Sequence, residues 1–517
     1  MYGMMGGEIV KPTPLGAAAP AGWVWVGFWF VLLIPLLLVL PRPSAASPDV
    51  REAIVKIYCV ENRPDYDNPW NRLGPQTWTG SGAILSGQRI ITNAHVVSDQ
   101  TFLQVRRHGQ ARKYTARIVA IAHDADVALL TVDDPAFFAG VTPLSLGPLP
   151  QVQDEVLVYG FPEGGDTLSA TRGVISRIEH HAYAHSALSL LAAQLDAAIN
   201  AGNSGGPALV DGRMAGVAMQ GLAEADNIGY LIPAPVIQHV LTDIAVGRYD
   251  GFPELGIRTQ ALENASLKRM LRVPDDVSGV LITQIVPGTP AHGRLRPGDI
   301  LVAVDGHAVA EDGSVEFRPD ERTHFDYYIQ HHQVGETLRV EIMRSGQPAT
   351  LTVPLRTAWG TSDLVPRWRY GTRPSYYLYG GLVFCPLSLD YLRTWGEAWY
   401  HHAPVALRNY YQHGVWQAEG EEVVILTKVL SSELNTGYQD LVNQRIIEVN
   451  DQTIRNLREL ASIVDQSTDA FIVFKTEHQQ LIVLDREQAR VKSRQIAQTY
   501  DIPADRSPDL RPRLTAH

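Results

Sequence analysis

The rhythm of apolar and polar positions divides the chain into zones. From Gly22 to Leu40 the sequence is GWVWVGFWFVLLIPLLLVL, with no charge between Lys11 and Arg42. Its length matches a bilayer core of about 30 Å and predicts an N-terminal transmembrane helix. A cleavable signal has a shorter apolar stretch, roughly 7–15 residues, so an uncleaved anchor is favoured, although Ser44-Ala45-Ala46 offers a place for a peptidase to cut. Lys11 is offset by Glu8, and Arg42 by Asp49 and Glu52, so flanking charge sets no orientation. After this zone and its spacer (1–48), residues 49–250 read as short β runs separated by turn formers, among them SGAILSGQRIITNA, YTARIVAIA, EVLVYGF, GVISRIE and MAGVAMQG. Many short strands at this spacing predict an all-β sandwich or barrel. PAPVIQHVLTDIAVGR then carries apolar residues at helical spacing and ends at Gly247, predicting a helix that closes the domain.

Beyond Glu254 a second pattern nearly repeats. GVLITQIVPGTPA followed by PGDILVAVDGHAV resembles the later EVVILTKVLSSEL followed by NQRIIEVNDQTI, and the match sets Asp305 opposite Asn450. Duplication of a strand-turn-strand unit is the economical reading. It yields one module at 251–357, a turn-rich linker at 358–375 and a second module at 376–490, with 491–517 left as a tail. The stretch 391–420 is unusually aromatic, with Trp395, Trp399, Tyr400, Tyr410, Tyr411 and Trp416, and reads as an insertion packed against a neighbour.

Composition narrows the function classes. At 517 residues, with 45% hydrophobic and 19% charged positions, the chain is an ordinary multidomain globular protein. Its net charge of −11 and lack of a long Lys/Arg run argue against nucleic acid as a partner. Two cysteines, Cys59 and Cys385, fall in different zones and form no disulfide framework.

The chemistry sits in the all-β zone. DAAINAGNSGGPAL sets Ser204 between Asn203 and Gly205. A serine hydroxyl needs a base to become a nucleophile, and an acyl-transfer intermediate needs amide donors aimed at its oxyanion. Gly202 permits the tight turn on which the N–H groups of Gly202 and Ser204 converge, and Pro207 stiffens the exit. ITNAHVV offers His95 as base, since imidazole accepts a proton near neutrality. HDADVALL offers Asp126 to orient it; Asp124 competes, but Asp126 directly precedes the buried run. His180, His181 and His185 cluster locally without the Cys or carboxylate spacing of a metal site, so they read as a solvated loop. No metal and no cofactor is implied, because the hydrolysis uses side chains and water.

Taken together, HDADVALL, DAAINAGNSGGP and the His95 word resemble the HtrA/DegP (Deg) family of trypsin-like serine proteases with PDZ domains. AEDGSVEFRPDERTHFDYY, GGLVFCPLS and IRNLRELASIVD look most like plant Deg-type proteases with an atypical second PDZ. The resemblance implies a mostly β chain: a chymotrypsin-like double β-barrel followed by two PDZ-like α+β domains. It carries over His95, Asp126 and Ser204 as the triad, and Gly202, Asn203 and Ser204 as the oxyanion-hole turn. The substrate pocket of such a fold is walled by the strand after the nucleophile, here Val217, Ala218 and Met219, where no acid awaits Lys or Arg; a small or medium aliphatic residue is expected before the scissile bond. Asn203 stands where digestive zymogens carry an Asp, so activation by a freshly cut N-terminus is not expected. The second PDZ lacks the Pro297-Gly298-Asp299 turn of the first.

The expectation is an ATP-independent endoprotease acting on unfolded or damaged proteins. It would be anchored or exported through residues 22–40, with its domains in a bacterial periplasm or another extracytoplasmic compartment, and assembled as a trimer or multiple of trimers. In PDZ domains a peptide C-terminus adds as a strand; here Glu254, Leu255, Gly256 and Ile257 would receive its carboxylate. The alternative is a PDZ-bearing chaperone or scaffold with a silent protease fold. An esterase is disfavoured, because the nucleophile word is G-N-S-G-G rather than G-x-S-x-G and no alternating strand-helix pattern surrounds it.

Overall fold

The structure is a computed structural model that describes residues 49–162, 165–197, 199–200, 202–219 and 228–511. The hydrophobic segment 22–40 lies outside the described residues. Among the described residues no helix is long and apolar enough to cross a membrane.

The all-β zone forms two closed six-stranded barrels. The first contains β1 (Ile54–Glu61), β2 (Gln76–Leu85), β3 (Arg89–Thr92), β4 (Gln100–Arg107), β5 (Tyr114–Ala122) and β6 (Val127–Val132), with the short helix α1 (Ala94–Val97) after β3. The second contains β7 (Glu155–Gly160), β8 (Ser169–Ala182), β9 (Ser189–Leu195), β10 (Pro207–Val210), β11 (Arg213–Met219) and β12 (Gly229–Pro233). Each half closes with its strands in the order 1-2-3-6-5-4, which leaves neither with an open edge. One apolar core, including Ile57, Leu129, Leu195 and Ile232, runs through both barrels. The helix foreseen at the end is α2 (Ala234–Ala245), burying Val236, Ile237 and Val240. Gly247, at φ 92, donates back to the Ile244 carbonyl (3.0 Å), the left-handed stop that glycine supplies without strain.

The first module holds β13 (Ile257–Ala261), α3 (Ala265–Leu271), β14 (Val280–Ile285), β15 (Ile300–Val304), β16 (His307–Ala308), β17 (Ser314–Arg318), β18 (Glu321–His324), α4 (Asp326–Gln330), β19 (Thr337–Arg344) and β20 (Gln347–Pro354). The second holds β21 (Tyr377–Tyr379), β22 (Leu382–Pro386), the helices α5 (Leu389–Leu392), α6 (Trp399–His402) and α7 (Val405–His413), β23 (Val424–Val429), β24 (Ile446–Val449), β25 (Gln452–Thr453), α8 (Leu457–Gln466), β26 (Phe471–Thr476), β27 (Leu481–Asp485) and α9 (Arg486–Thr499). The duplication is visible atom by atom. Asp305 and Asn450 both have positive φ (49 and 46). The Asp305 amide donates to the Arg339 carbonyl on β19 and its carboxylate accepts the Arg339 amide; Asn450 exchanges the same pair of bonds with Val473 on β26.

The modules differ where a peptide would add. Among the described residues β13 pairs only with β14 and keeps a free edge, whereas the corresponding β22 lies between β23 and β21, its outer edge filled by the chain itself. The aromatic stretch is a helical insertion with its own small core, in which Trp395, Trp399, Tyr410, Tyr411 and Trp416 pack around Leu387, Leu392 and Leu407. Residues 491–511, set apart as a tail by their composition, pack onto the second module. Ile496 and Ile502 are buried there, and the Leu378 amide donates to the Asp505 carbonyl (2.7 Å).

Candidate active site

His95, Asp126 and Ser204 line one cleft of about 1210 Å³ between the barrels. His95 sits in α1, directly after β3, and Asp126 in the tight turn His123–Asp126 between β5 and β6, its backbone at φ 53. His95 Nδ1 lies 2.8 Å from Asp126 Oδ2, and the other carboxylate oxygen accepts the His95 amide at 2.9 Å, so one buried carboxylate fixes both ring and backbone. Asn93 Nδ2 donates to the Asp126 carbonyl at 3.0 Å, holding the turn itself. Burial pulls the His95 pKa down, but the Asp126 charge and hydrogen bond outweigh it and set it above 6.5. Burial acts oppositely on Asp126; the His95 charge and bonds from ring and amide hold its carboxyl below the ordinary range.

Ser204 is presented by a turn wedged between the barrels. Gly202 has φ 92 and Gly205 φ 84. A Cβ on Gly205 would lie 2.2 Å from the Ser81 carbonyl oxygen, and one on Gly206 2.0 Å from that of Tyr159, so both glycines answer to close backbone approach. Ser81, which sequence reasoning missed, pins this turn from the opposite barrel: its amide donates to the Ser204 carbonyl (2.9 Å), its hydroxyl donates to the Gly202 carbonyl (2.7 Å) and accepts the Phe161 amide (2.8 Å). The signal was there in the all-small word Gly80-Ser81-Gly82. Among the described residues the amides of Gly202 and Ser204 have no acceptor, whereas that of Asn203 is spent on Asn200 (3.0 Å).

Of the three strand residues assigned to the pocket, Met219 lines the cleft together with Ile199 and Ile228. Val217 and Ala218 are buried, and the Ala218 backbone serves the turn that carries Ser204, accepting from the Gly205 amide (3.0 Å) and donating to the Gly206 carbonyl (2.8 Å). The histidine cluster is not a solvated loop. His181 stacks on Tyr230, His180 bonds Thr323 and Gln330 of the first module, and His185 is buried beside this cleft. His185 Nε2 is 3.0 Å from His123 Nδ1, and burial depresses the two to about 3 and about 4, so both stay neutral at working pH. No group of His, Cys, Asp or Glu among the described residues is disposed to hold a metal. Trp368, Tyr370, Arg393 and Trp399, from the linker and second module, form the far wall of the cleft, a contribution that no local pattern announces.

In the first module Gly256 has φ 77, and a Cβ there would lie 2.1 Å from Thr289 Oγ1. Among the described residues the amides of Leu255 and Gly256 have no acceptor. Ile257 is half-buried and opens β13, while Leu255 belongs to the module core. Glu254 points away from that edge: Ser362 Oγ donates to it at 2.6 Å, and burial raises its carboxyl to about 7.

A family model described as "Trypsin-like peptidase domain" matches residues 80–217, and two described as "PDZ domain" match 253–355 and 365–509. The chain is 41% identical over 462 residues to "Protease Do-like 2, chloroplastic" from Arabidopsis thaliana, covering 89% of this chain and 75% of that protein. It is 37% identical over 453 residues to "Protease Do-like 4, mitochondrial" from the same plant, covering 87% and 84%. A solved structure, "HtrA-type protease AlgW with decapeptide", is similar at 23% identity and a TM-score of 0.46, covering 59% of this chain and 96% of that one.

Proposed function

From the premise that this chain belongs to the Deg/HtrA family of serine proteases and is a serine endopeptidase, we propose that it hydrolyses peptide bonds of unfolded proteins through His95, Asp126 and Ser204, without ATP. The observation that carries this is the buried Asp126 carboxylate 2.8 Å from His95 Nδ1, in the cleft that Ser204 faces. With Nδ1–H donating to Asp126, the Nε2 lone pair is left to accept the Ser204 proton as Oγ attacks the scissile carbonyl. The amides of Gly202 and Ser204 receive the oxyanion, with Asn203 as the spacer between them. The imidazolium, stabilised by Asp126, then protonates the leaving amine, and water releases the acyl group by the same route. The silent-scaffold alternative has little support, since the named relatives are proteases. Incubation of the purified chain with casein, without nucleotide, tests the reading; intact casein contradicts it.

The proton inventory gives the pH profile. A protonated His95 cannot accept, and its pKa is held above 6.5, so kcat/KM should climb through the neutral range with its midpoint above 6.5. Stopped assays on a fluorogenic peptide between pH 5 and 9 measure this; a profile flat or falling across that range contradicts it.

The free edge of β13 supports capture of a peptide C-terminus by the first module, with the Leu255 and Gly256 amides taking the carboxylate and Ile257 bordering the pocket for the last side chain. Calorimetry on the full Ser204→Ala chain should show an apolar-ended peptide binding, with amidation or Gly256→Val each costing at least about tenfold, as expected when charge-assisted bonds are lost. Equal affinity for the amidated peptide contradicts carboxylate capture. The chloroplastic and mitochondrial relatives support an organellar or extracytoplasmic location, the segment 22–40 an anchor, and the family resemblance a trimer or multiple of trimers with domain limits as read from the sequence.

A further inference from the structure

The turn His123–Asp126 carries more contacts than a strand connection needs. One group comes from the segment between α2 and β13. Tyr249 Oη donates to Asp124 Oδ1, and the Phe252 amide donates to Asp124 Oδ2 at 3.3 Å. Asp124 Oδ1 also accepts the Ala125 amide (2.9 Å), and Ser186 Oγ donates to the Asp124 carbonyl (2.8 Å). The other group comes from the linker between the modules. The Tyr370 ring lies flat on His185 (3.9 Å between centroids, 15° between planes) and on His123 (4.6 Å, 20°), and its hydroxyl donates to the His185 carbonyl at 2.7 Å. That linker is held beside it by Arg367 Nη1 donating to the Ala187 carbonyl (2.8 Å) and by the Gly371 amide donating to Asp99 Oδ1 (2.8 Å). The chain entering the first module and the chain leaving it are also tied to each other: the Glu254 amide donates to the Thr357 carbonyl (3.1 Å) and the Trp359 amide to the Phe252 carbonyl (2.8 Å).

Both interdomain connectors therefore meet on one four-residue turn, and the last residue of that turn, in the left-handed region, is the carboxylate that orients His95. We propose that this turn is a positioning device, with Asp124 and Tyr370 as positioning residues that hold Asp126 in register with His95. Neither residue takes part in the proton transfers. Asp124 acts through the backbone it clamps, and Tyr370 through the His123–His185 pair. The physical lever is geometric: a displacement of about 1 Å in a catalytic group costs up to about a hundredfold in rate even when its cause is remote. The inference rests on the triad reading above.

The test measures kcat and KM separately for the full chain carrying Tyr370→Ala, Tyr370→Phe, Asp124→Ala and Asp124→Asn, with melting temperature as the control for folding. The two alanine variants should lose about 10- to 100-fold in kcat, the range for a misplaced catalytic group, and Asp124→Ala, which lies outside the cleft lining, should do so with KM little changed. Phe keeps the stack and gives up the hydroxyl bond, and Asn keeps the acceptor for Tyr249 and Ala125 and gives up only the long bond from the Phe252 amide, so each should stay within about threefold of wild type, the worth of one weak hydrogen bond. In the double alanine variant the loss should fall short of the product of the single losses, because both act on the same turn. Unchanged kcat in both alanine variants, a rise in KM at constant kcat, or fully multiplicative losses overturns the proposal. Should Asp124→Ala fail to fold, the Tyr370 pair decides alone. Fluorophosphonate labelling separates the two readings. If wild type does not label at Ser204, the triad reading fails; if wild type and Tyr370→Ala label at Ser204 at the same rate, only the positioning inference fails.

Discussion

Ser204→Ala should abolish cleavage of casein while leaving the melting temperature unmoved. The substitution removes one oxygen whose loss deprives the reaction of its nucleophile, and in serine proteases that loss is worth about 10⁶-fold in kcat. What holds the segment in place survives, because the bonds that pin it are made by the backbone: the Ser204 carbonyl with the Ser81 amide, the Gly202 carbonyl with the Ser81 hydroxyl, the Gly205 amide with the Ala218 carbonyl. His95→Ala should be nearly as severe, and adding it to Ser204→Ala should cost almost nothing more, since the members act as a unit. Casein fragments on a gel, followed over a day with a large excess of enzyme, are the readout. Proteolysis by the pure Ser204→Ala protein at a rate near wild type contradicts the assignment.

The second large effect is expected for Asp126→Asn. An amide oxygen in place of Oδ1 can still accept the His95 amide, so α1 and the turn keep their arrangement. The position facing His95 Nδ1 then carries an NH2 group, which donates instead of accepting and turns the imidazole to the tautomer with its hydrogen on Nε2. That hydrogen points toward Ser204, where a lone pair is required, and the expected loss is about 10⁴-fold in kcat. Steady-state hydrolysis of a fluorogenic peptide at pH 8 measures it. Activity within tenfold of wild type would mean that Asp126 does not orient the base, and Asp124 would then have to be examined in its place.

The elements written locally were legible in the sequence. The helix Ala234–Ala245 announced itself by its apolar spacing and its stop at Gly247, and the pairing of Asp305 with Asn450 by the repeated strand-turn-strand words. That His95, Asp126 and Ser204 meet in one cleft was readable because each sits in a distinctive word, and their meeting needs only the barrel pair. The pocket strand was not readable. β11 is buried at Met214–Met219 on both faces, so alternation, the signal that separates the two sides of a strand, is missing, and nothing local sets Met219 apart from Val217 and Ala218. His185 was misread as solvated because what buries it, Tyr370, lies far along the chain and arrives only when the linker docks. For the same reason the wall that Trp368, Arg393 and Trp399 give the cleft belongs to tertiary structure alone.

An activated nucleophile at Ser204 reacts covalently with a fluorophosphonate, and peptide mapping in a mass spectrometer locates the adduct. One adduct per chain is expected, located on Ser204, forming faster as pH rises past the His95 pKa, and missing from Ser204→Ala. An unlabelled wild type, or an adduct that persists in Ser204→Ala, would contradict it.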